Sequence, residues 1–202
     1  MVHMADNFIS STAIVAESVK MAGGCKIWHG AHIRENVIIG ENVIIGGNVY
    51  IGPGVSIGNN VKIQNNSLIY EPAAIGEGVF IGPGVIFTND HNPRAVNPNK
   101  SQKKPSDWEL SRVTVGEGAS IGAGAVCVGE IKIGNWALIG AGAVLVQDVH
   151  NFALVVGVPA KQIGWVGKSG FMLVKQEAGI FKCPRTNELF RLDGKILVEE
   201  SN

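Results

Sequence analysis

The sequence predicts an all-β protein, a parallel β-solenoid built of three-sided coils. Three observations carry this: an apolar residue every six positions, turn residues between the beats, and one long interruption. Stepping by six from Ile9 lands on an aliphatic, Met or Phe side chain at every beat up to Phe87, through Ile27, Ile45, Ile63 and Ile81. Four places after each beat stands a small or β-branched residue, as at Ala13, Cys25, Val37, Ser67 and Val85. A period of six fits neither a helix at 3.6 nor an alternating strand at 2, so each unit is a short strand followed by a corner. Three corners close a triangle, eighteen residues make a coil, and coils stack as parallel strands about 4.8 Å apart. Such repeats bury their apolar side chains only by stacking on one another.

Between the beats lie "GEN", "GPG", "GNN" and "GEG", whose glycine and asparagine tolerate the positive φ of a tight corner. Sorting the corners in threes gives three edges. The first carries "GEN" (40–42), "GNN" (58–60) and "GEG" (76–78), which is no more than turns require. The second carries "WHG" (28–30), "GGN" (46–48), "QNN" (64–66) and "GPG" (82–84). The third carries "REN" (34–36), "GPG" (52–54), "YEP" (70–72) and "TND" (88–90). Bulky polar residues therefore gather on the third edge at Arg34, Tyr70, Glu71, Asn89 and Asp90, with Gln64 and Asn65 on the second. The beat stops on this third edge, at "FTNDHNPRA", and returns at Val115 to run on through Ile121, Cys127, Ile133, Ile139 and Leu145. The step from Phe87 to Val115 is 28 residues where six would do, which leaves 22 for a loop placed at about 88–114. From Ser169 onward there is no beat. Short apolar stretches alternate with "PRTN" and "LDGK", which predicts small antiparallel hairpins covering the open end of the solenoid or touching a neighbouring subunit.

Seventeen basic and seventeen acidic residues cancel, which argues against a broad basic face for nucleic acid. No apolar run is long enough for a membrane span. "MVHMADNF" lacks the features of a secretory signal, so a cytoplasmic location is expected, with Met4 as an alternative start. Cys25, Cys127 and Cys183 are too few and scattered for a disulfide framework or a four-cysteine zinc site, and two of them fall on buried places of the repeat.

The hexads "IGENVI", "IGPGVS" and "IGAGAV", followed by "VVGVPAKQIG", resemble the left-handed β-helix hexapeptide-repeat acyltransferases. That resemblance covers about residues 9–165, leaving 166–202 as a small C-terminal β appendage, and it supplies the left hand of the coil. It implies acetyl-CoA as co-substrate, a homotrimer with sites between subunits, and no metal, nucleic-acid or membrane partner. Within the loop, "FTNDHNPR" and "WELSRVTVGEGASIG" are similar to a narrower branch, the N-acetyltransferases acting on the 3-amino group of nucleotide-linked sugars. "KIQNNSLIYEP" and "FKCPRTNELFRL" point within it to enzymes acting on UDP-2-acetamido-3-amino-2,3-dideoxy-glucuronate in bacterial surface-polysaccharide (O-antigen, lipopolysaccharide) biosynthesis. The dTDP-linked 3-amino-3,6-dideoxyhexose acetyltransferases share the loop motif and are the competing reading.

The chemistry so implied is attack of an amine on a thioester. A sugar amine is a weaker base than lysine, close to the α-amino range, so much of it is neutral at cellular pH and no strong base is required. Catalysis then rests on alignment and on N–H groups facing the oxyanion. Asn89, as the motif asparagine, would aim the amine, while Asp90 and His91 are candidate proton acceptors. Arg34 and Arg94 are the cations nearest the polar edge, suited to a diphosphate or a sugar carboxylate, and join Gln64, Asn65, Tyr70 and Glu71 as candidate substrate ligands. For CoA, Gly122, Ala123, Gly140 and Ala141 would let pantetheine approach the backbone, and Lys161 of "VPAKQIG" would reach a CoA phosphate. Outside this class stands a metal-binding, carbonic-anhydrase-like solenoid, but none of the five histidines recurs at coil spacing.

Overall fold

The computed structural model describes residues 6–200, so Met4 lies outside the described part. Short strands, most of them two residues long and ending on a beat residue, stack into three parallel sheets. The first runs from Phe8–Ile9 through Lys62–Ile63 to Leu138–Ile139 and Ala153–Val156. The second runs from Ile14–Val15 through Tyr50–Ile51 to Val144–Leu145, and the third from Lys20–Met21 through Ser56–Ile57 to Ile131–Ile133. The register is eighteen residues, with Ile63 between Ile45 and Ile81. Across the interruption Ile75 pairs with Val115, so the 22 extra residues loop out and the ladder closes behind them. This is the three-sided stack that the beat predicts, consistent with the left-handed β-helix that the resemblance implies.

Beat residues from Ile27 onward are buried in one continuous core. Cys25 and Cys127 sit in it as packing groups, and burial pushes the Cys127 thiol up to about 12. Ile9 is 46% exposed, since among the described residues no coil lies beneath the first. The corners are held by left-handed asparagines, among them Asn42 and Asn60 with φ of 57° and 59°.

The end of the chain departs from the repeat in three ways. Strand Val113–Val115 takes the last two residues of the expected loop, 113 and 114, so that the loop spans 88–112. The last coil is two residues short, since Ile139 pairs with Val155 and Ile133 with Val149. Strand Lys161–Trp165 then folds back antiparallel on Ala153–Val156. Beyond it, Val174–Lys175, Ile180–Lys182, Leu189–Asp193 and Ile196–Glu199 form a four-stranded antiparallel sheet.

This small sheet shares a cluster of Leu173, Cys183, Phe190 and Leu197 with Phe152 of the solenoid, and Trp136 packs against it. Phe152 and Trp136 occupy the last two corners of the first edge, in the left-handed place taken lower down by asparagine or glycine, with φ of 61° and 58°. A left-handed L-residue costs about 1–2 kcal/mol, which burial of a large aromatic offsets. The first edge is thus bland only in its lower coils; its upper end is the docking place of the appendage. Among the described residues no helix is long and apolar enough to cross a membrane.

Candidate functional site on the third edge

The loop is anchored at its mouth by hydrogen bonds to the coil above. Thr88 Oγ1 accepts the Gly129 N–H at 3.0 Å and donates to the Cys127 carbonyl at 3.3 Å. The Ser111 N–H closes the loop on the Asn89 carbonyl at 2.9 Å. Asp90 Oδ1 accepts the Asn92 N–H at 2.7 Å, a local turn that occupies one carboxylate oxygen. His91 Nε2 accepts the Glu130 N–H at 3.0 Å, and its ring lies over Gly129, where a β-carbon would overlap it. His91 is thereby a pin that holds the loop against the prism, with Nε2 already engaged. The Asn89 side chain has no hydrogen-bond partner among the described residues and is half-buried at the mouth.

Below Asn89 on the same edge stand Tyr70 and Glu71. Tyr70 is 39% exposed and its ring lies 5.1 Å from that of Tyr50, which in turn meets His32 edge-on at 5.7 Å. Glu71 is half-buried, with one carboxylate oxygen enclosed. Arg34, two coils below, donates to Glu35 at 2.9 Å and to the Tyr50 hydroxyl at 3.3 Å, so it is already engaged. Arg94 is exposed in the loop, donating to the Pro93 carbonyl at 2.8 Å. On the second edge Asn65 Oδ1 accepts the Gly47 N–H at 2.9 Å, which gives that oxygen a structural role. Gln64 stands beside it, half-buried.

The corners read as a CoA track continue the second edge above the loop. Ala123 and Ala141 are exposed there. Gly122 and Gly140 have a packing reason of their own, since a β-carbon on Gly122 would stand 2.5 Å from the Ala141 nitrogen and one on Gly140 2.7 Å from the Val156 side chain. The open positions are Gly124 and Gly142, with nothing within 4 Å of where a β-carbon would point. They were missed because a third-place corner glycine reads as a turn and nothing more. Lys161 pairs with Val156, the residue covering Gly140, and lines a recess of about 290 Å³ with Leu145, Asp148, His150 and Gln162 at the open end of the prism.

Between the second and third edges the outer face of the second sheet presents Ile14, His32, Tyr50, Leu68, Ile86, Val126 and Val144. The third sheet presents Lys20, Ile38, Ser56, Ala74, Thr114 and Lys132 at matching places, a more polar face. Among the described residues no three His, Cys, Asp or Glu side chains gather in a way that would hold a metal.

The bacterial transferase hexapeptide model, of six repeats, matches residues 18–53 and 54–89. The hexapeptide repeat model of succinyl-transferase matches 36–71 and 112–147. Together they account for more than half of the chain and fall on the coils. The chain belongs to the hexapeptide-repeat transferase family.

Among solved structures, this hexapeptide-repeat chain is similar to perosamine N-acetyltransferase from Caulobacter crescentus, in complex with CoA and GDP-perosamine. Identity is 24% over 80% of this chain and 58% of that one, with a TM-score of 0.48. The acetyltransferase domain of PglB from Neisseria gonorrhoeae matches at 19% identity, over 79% and 58% of the two chains, with a TM-score of 0.55. AntD, an N-acyltransferase from Bacillus cereus in complex with dTDP and coenzyme A, matches at 16% identity, over 80% and 81%, with a TM-score of 0.51. The chain thus spans 58% of the length of the first two, and the last two likenesses show the shared fold. No curated protein matches it significantly. In hexapeptide-repeat terms, Tyr50 is the neighbour of the site that the sequence reading passed over. Its signal was the outward column His32, Tyr50, Leu68, one residue before the beat and eighteen apart.

Proposed function

We propose that the protein is an acetyl-CoA-dependent N-acetyltransferase acting on the 3-amino group of a nucleotide-linked sugar, UDP-2-acetamido-3-amino-2,3-dideoxy-glucuronate above others. The observation that carries the reading is the column of Tyr70, Glu71 and Asn89 beside a pinned loop whose motif resembles that of the amino-sugar branch. Asn89 has its amide free to orient an amine, and an exposed tyrosine ring below it offers a stacking surface for a nucleotide base or sugar. Arg34 and Arg94 supply cations for a diphosphate and a sugar carboxylate, Arg34 by exchanging its present partners.

The assembly proposed is a trimer in the cytoplasm. The apolar outer face of the second sheet is the surface a second copy would cover, and it lies between the two edges that carry the candidate residues. Packing there sets the third edge of one protomer against the second edge of the next, so that pantetheine running past Ala123, Gly124, Ala141 and Gly142 meets an amine held at Asn89. Lys161, at the end of that column, would take a CoA phosphate. Gln64 and Asn65 would contribute from the same second edge.

A thiol-release assay with acetyl-CoA and parallel UDP-linked and dTDP-linked 3-amino sugars tests the reading, with sedimentation of the same sample. The expected result is a species of three chain masses and a preference for the UDP-amino-glucuronate of at least about tenfold, roughly 1.4 kcal/mol of differential transition-state binding. Preference for the dTDP sugar would overturn the substrate, and an active monomer would overturn the shared site. No thiol release with any amino sugar would overturn the activity.

A further inference from the structure

The appendage docks on the prism through two corner residues. The left-handed third place of the first edge is held by Gly24, Asn42, Asn60, Gly78 and Gly118, and then by Trp136 and Phe152. The Trp136 ring lies over Gly118, where a β-carbon would overlap it. Lys168 Nζ stands 6.0 Å from the centre of the same ring and donates to Glu199 at 2.6 Å. The Phe152 ring meets that of Phe190 at 5.2 Å, inside the small cluster with Leu173, Cys183 and Leu197. Near Ile196 the small sheet stands off the prism, across a recess of about 300 Å³ lined by Lys132, Asp148 and His150. Docking is therefore concentrated at the aromatic joint.

That joint grips the strand leading into the appendage. Strand Lys161–Trp165 is the outermost of its sheet and pairs only with Ala153–Val156. The pairing carries a bulge with Ile163 as the extra residue, which sets Gln162 against Val155 and Lys161 against Val156. A bulge re-aims the side chains beside it and locally disrupts the ladder. The start of the strand is exposed, at Lys161, Gln162 and Ile163, and its far end is held. Trp165 packs against both the solenoid core and the small cluster. The Val166 N–H donates to the Phe152 carbonyl at 2.8 Å and the Leu173 N–H to the Trp165 carbonyl at 2.8 Å. Met172 covers Gly164. Lys161 and Gln162, at the other end, line the recess of about 290 Å³ at the open end of the prism.

We propose, resting on the reading that a CoA phosphate reaches Lys161, that the appendage is a positioning element for the coenzyme. Docked on Trp136 and Phe152, it fixes strand Lys161–Trp165 and so holds Lys161 and Gln162 at the recess. The two aromatics are positioning residues, which act on CoA through the strand and touch neither substrate. Asparagine satisfies the same left-handed place at Asn42 and Asn60, so the aromatics serve the sheet and not the turn. A strand ordered before the coenzyme arrives spares binding the entropy of ordering it.

The test takes the full chain with Trp136→Asn/Phe152→Asn, with Lys161→Ala and with all three changes together, and reads CoA affinity by titration calorimetry and the joint by limited proteolysis. The asparagine pair should speed cleavage beyond residue 166 and weaken CoA about tenfold, the size of one lost charge-assisted contact. Lys161→Ala should weaken CoA to a similar degree, and the triple variant no further, because both changes remove the same contact. In acetyl transfer to a UDP-linked 3-amino sugar, the asparagine pair should raise KM for acetyl-CoA while kcat and KM for the sugar stay within about twofold. Lys168→Ala loosens the joint from the surface without touching either core, and should weaken CoA by about threefold; it carries the test if the asparagine pair does not fold. Faster cleavage at parental CoA affinity would overturn the positioning role and leave the coenzyme reading standing. Unchanged cleavage in the asparagine pair would overturn the docking role of the two aromatics. Parental affinity in Lys161→Ala, or losses that multiply in the triple variant, would overturn transmission through Lys161. A parent that does not bind CoA would overturn the acetyl-CoA reading and this inference with it.

Discussion

Asn59 on the first edge and Glu71 on the third occupy the same place in the repeat, and the residues beneath them differ by one N–H. Under Asn59 lies Glu41, whose backbone N–H it accepts, so the side chain is absorbed into the stack. Under Glu71 lies Pro53, and the oxygen is left over. The corners of a hexapeptide solenoid repeat closely along an edge, although the peptide before Pro72 is cis where other corners hold a left-handed asparagine or glycine. A functional place is made by withholding a structural partner as much as by adding a reactive group. The same contrast holds for Asn65, whose oxygen is bonded to Gly47, and Asn89, whose amide is free because the chain leaves the prism there.

The largest effect expected from breaking this comparison lies on the structural side. At Gly58 a β-carbon would stand 2.7 Å from the Glu77 backbone nitrogen of the next coil. Gly58→Ala should therefore cost about 2 kcal/mol, as overpacking does, or roughly 4–8 °C in Tm for a chain of this size. Calorimetry checks it, and acetyl transfer below the transition should be unchanged. A smaller effect is expected at the loop pin. His91→Ala removes the acceptor of the Glu130 N–H, and should raise KM for the sugar about tenfold, or roughly 1.4 kcal/mol, while leaving Tm unchanged. Limited proteolysis should show faster cleavage within 88–112. A loss of kcat alone, with no change in KM or cleavage, would instead make His91 a proton acceptor.

Much of this was legible in the sequence, because a six-residue beat fixes which side chains face inward with no long-range information. The buried ladder from Ile27 to Leu145, the insertion of 22 residues and the polar third edge all follow from spacing. Exposure of Ile9 was not legible, since a periodic pattern does not say where the stack ends. The partners of His91 were not legible either, because a loop outside the beat can land on any corner. Two features could have been read and were not. Trp136 and Phe152 stand where a corner wants asparagine or glycine, which marks the docking place of the appendage. Pro53 stands eighteen residues before Glu71, which marks the missing donor. Both are errors within a repeat, visible once the repeat is known.

The account rests on corners of like geometry having different work, and the most direct measurement sets Asn59→Ala beside Asn89→Ala, each assayed for Tm and for thiol release from acetyl-CoA with the UDP-linked 3-amino sugar. Asn59→Ala should lose about 1 kcal/mol of stability, the net worth of its hydrogen bond, or roughly 2–4 °C in Tm, at unchanged turnover. Asn89→Ala should keep its Tm and its affinity for CoA while kcat falls about 100-fold, the scale of a misaligned reactant. Parental turnover in Asn89→Ala, or a loss of turnover in Asn59→Ala as deep as that expected at Asn89, would contradict the division of labour between the two edges.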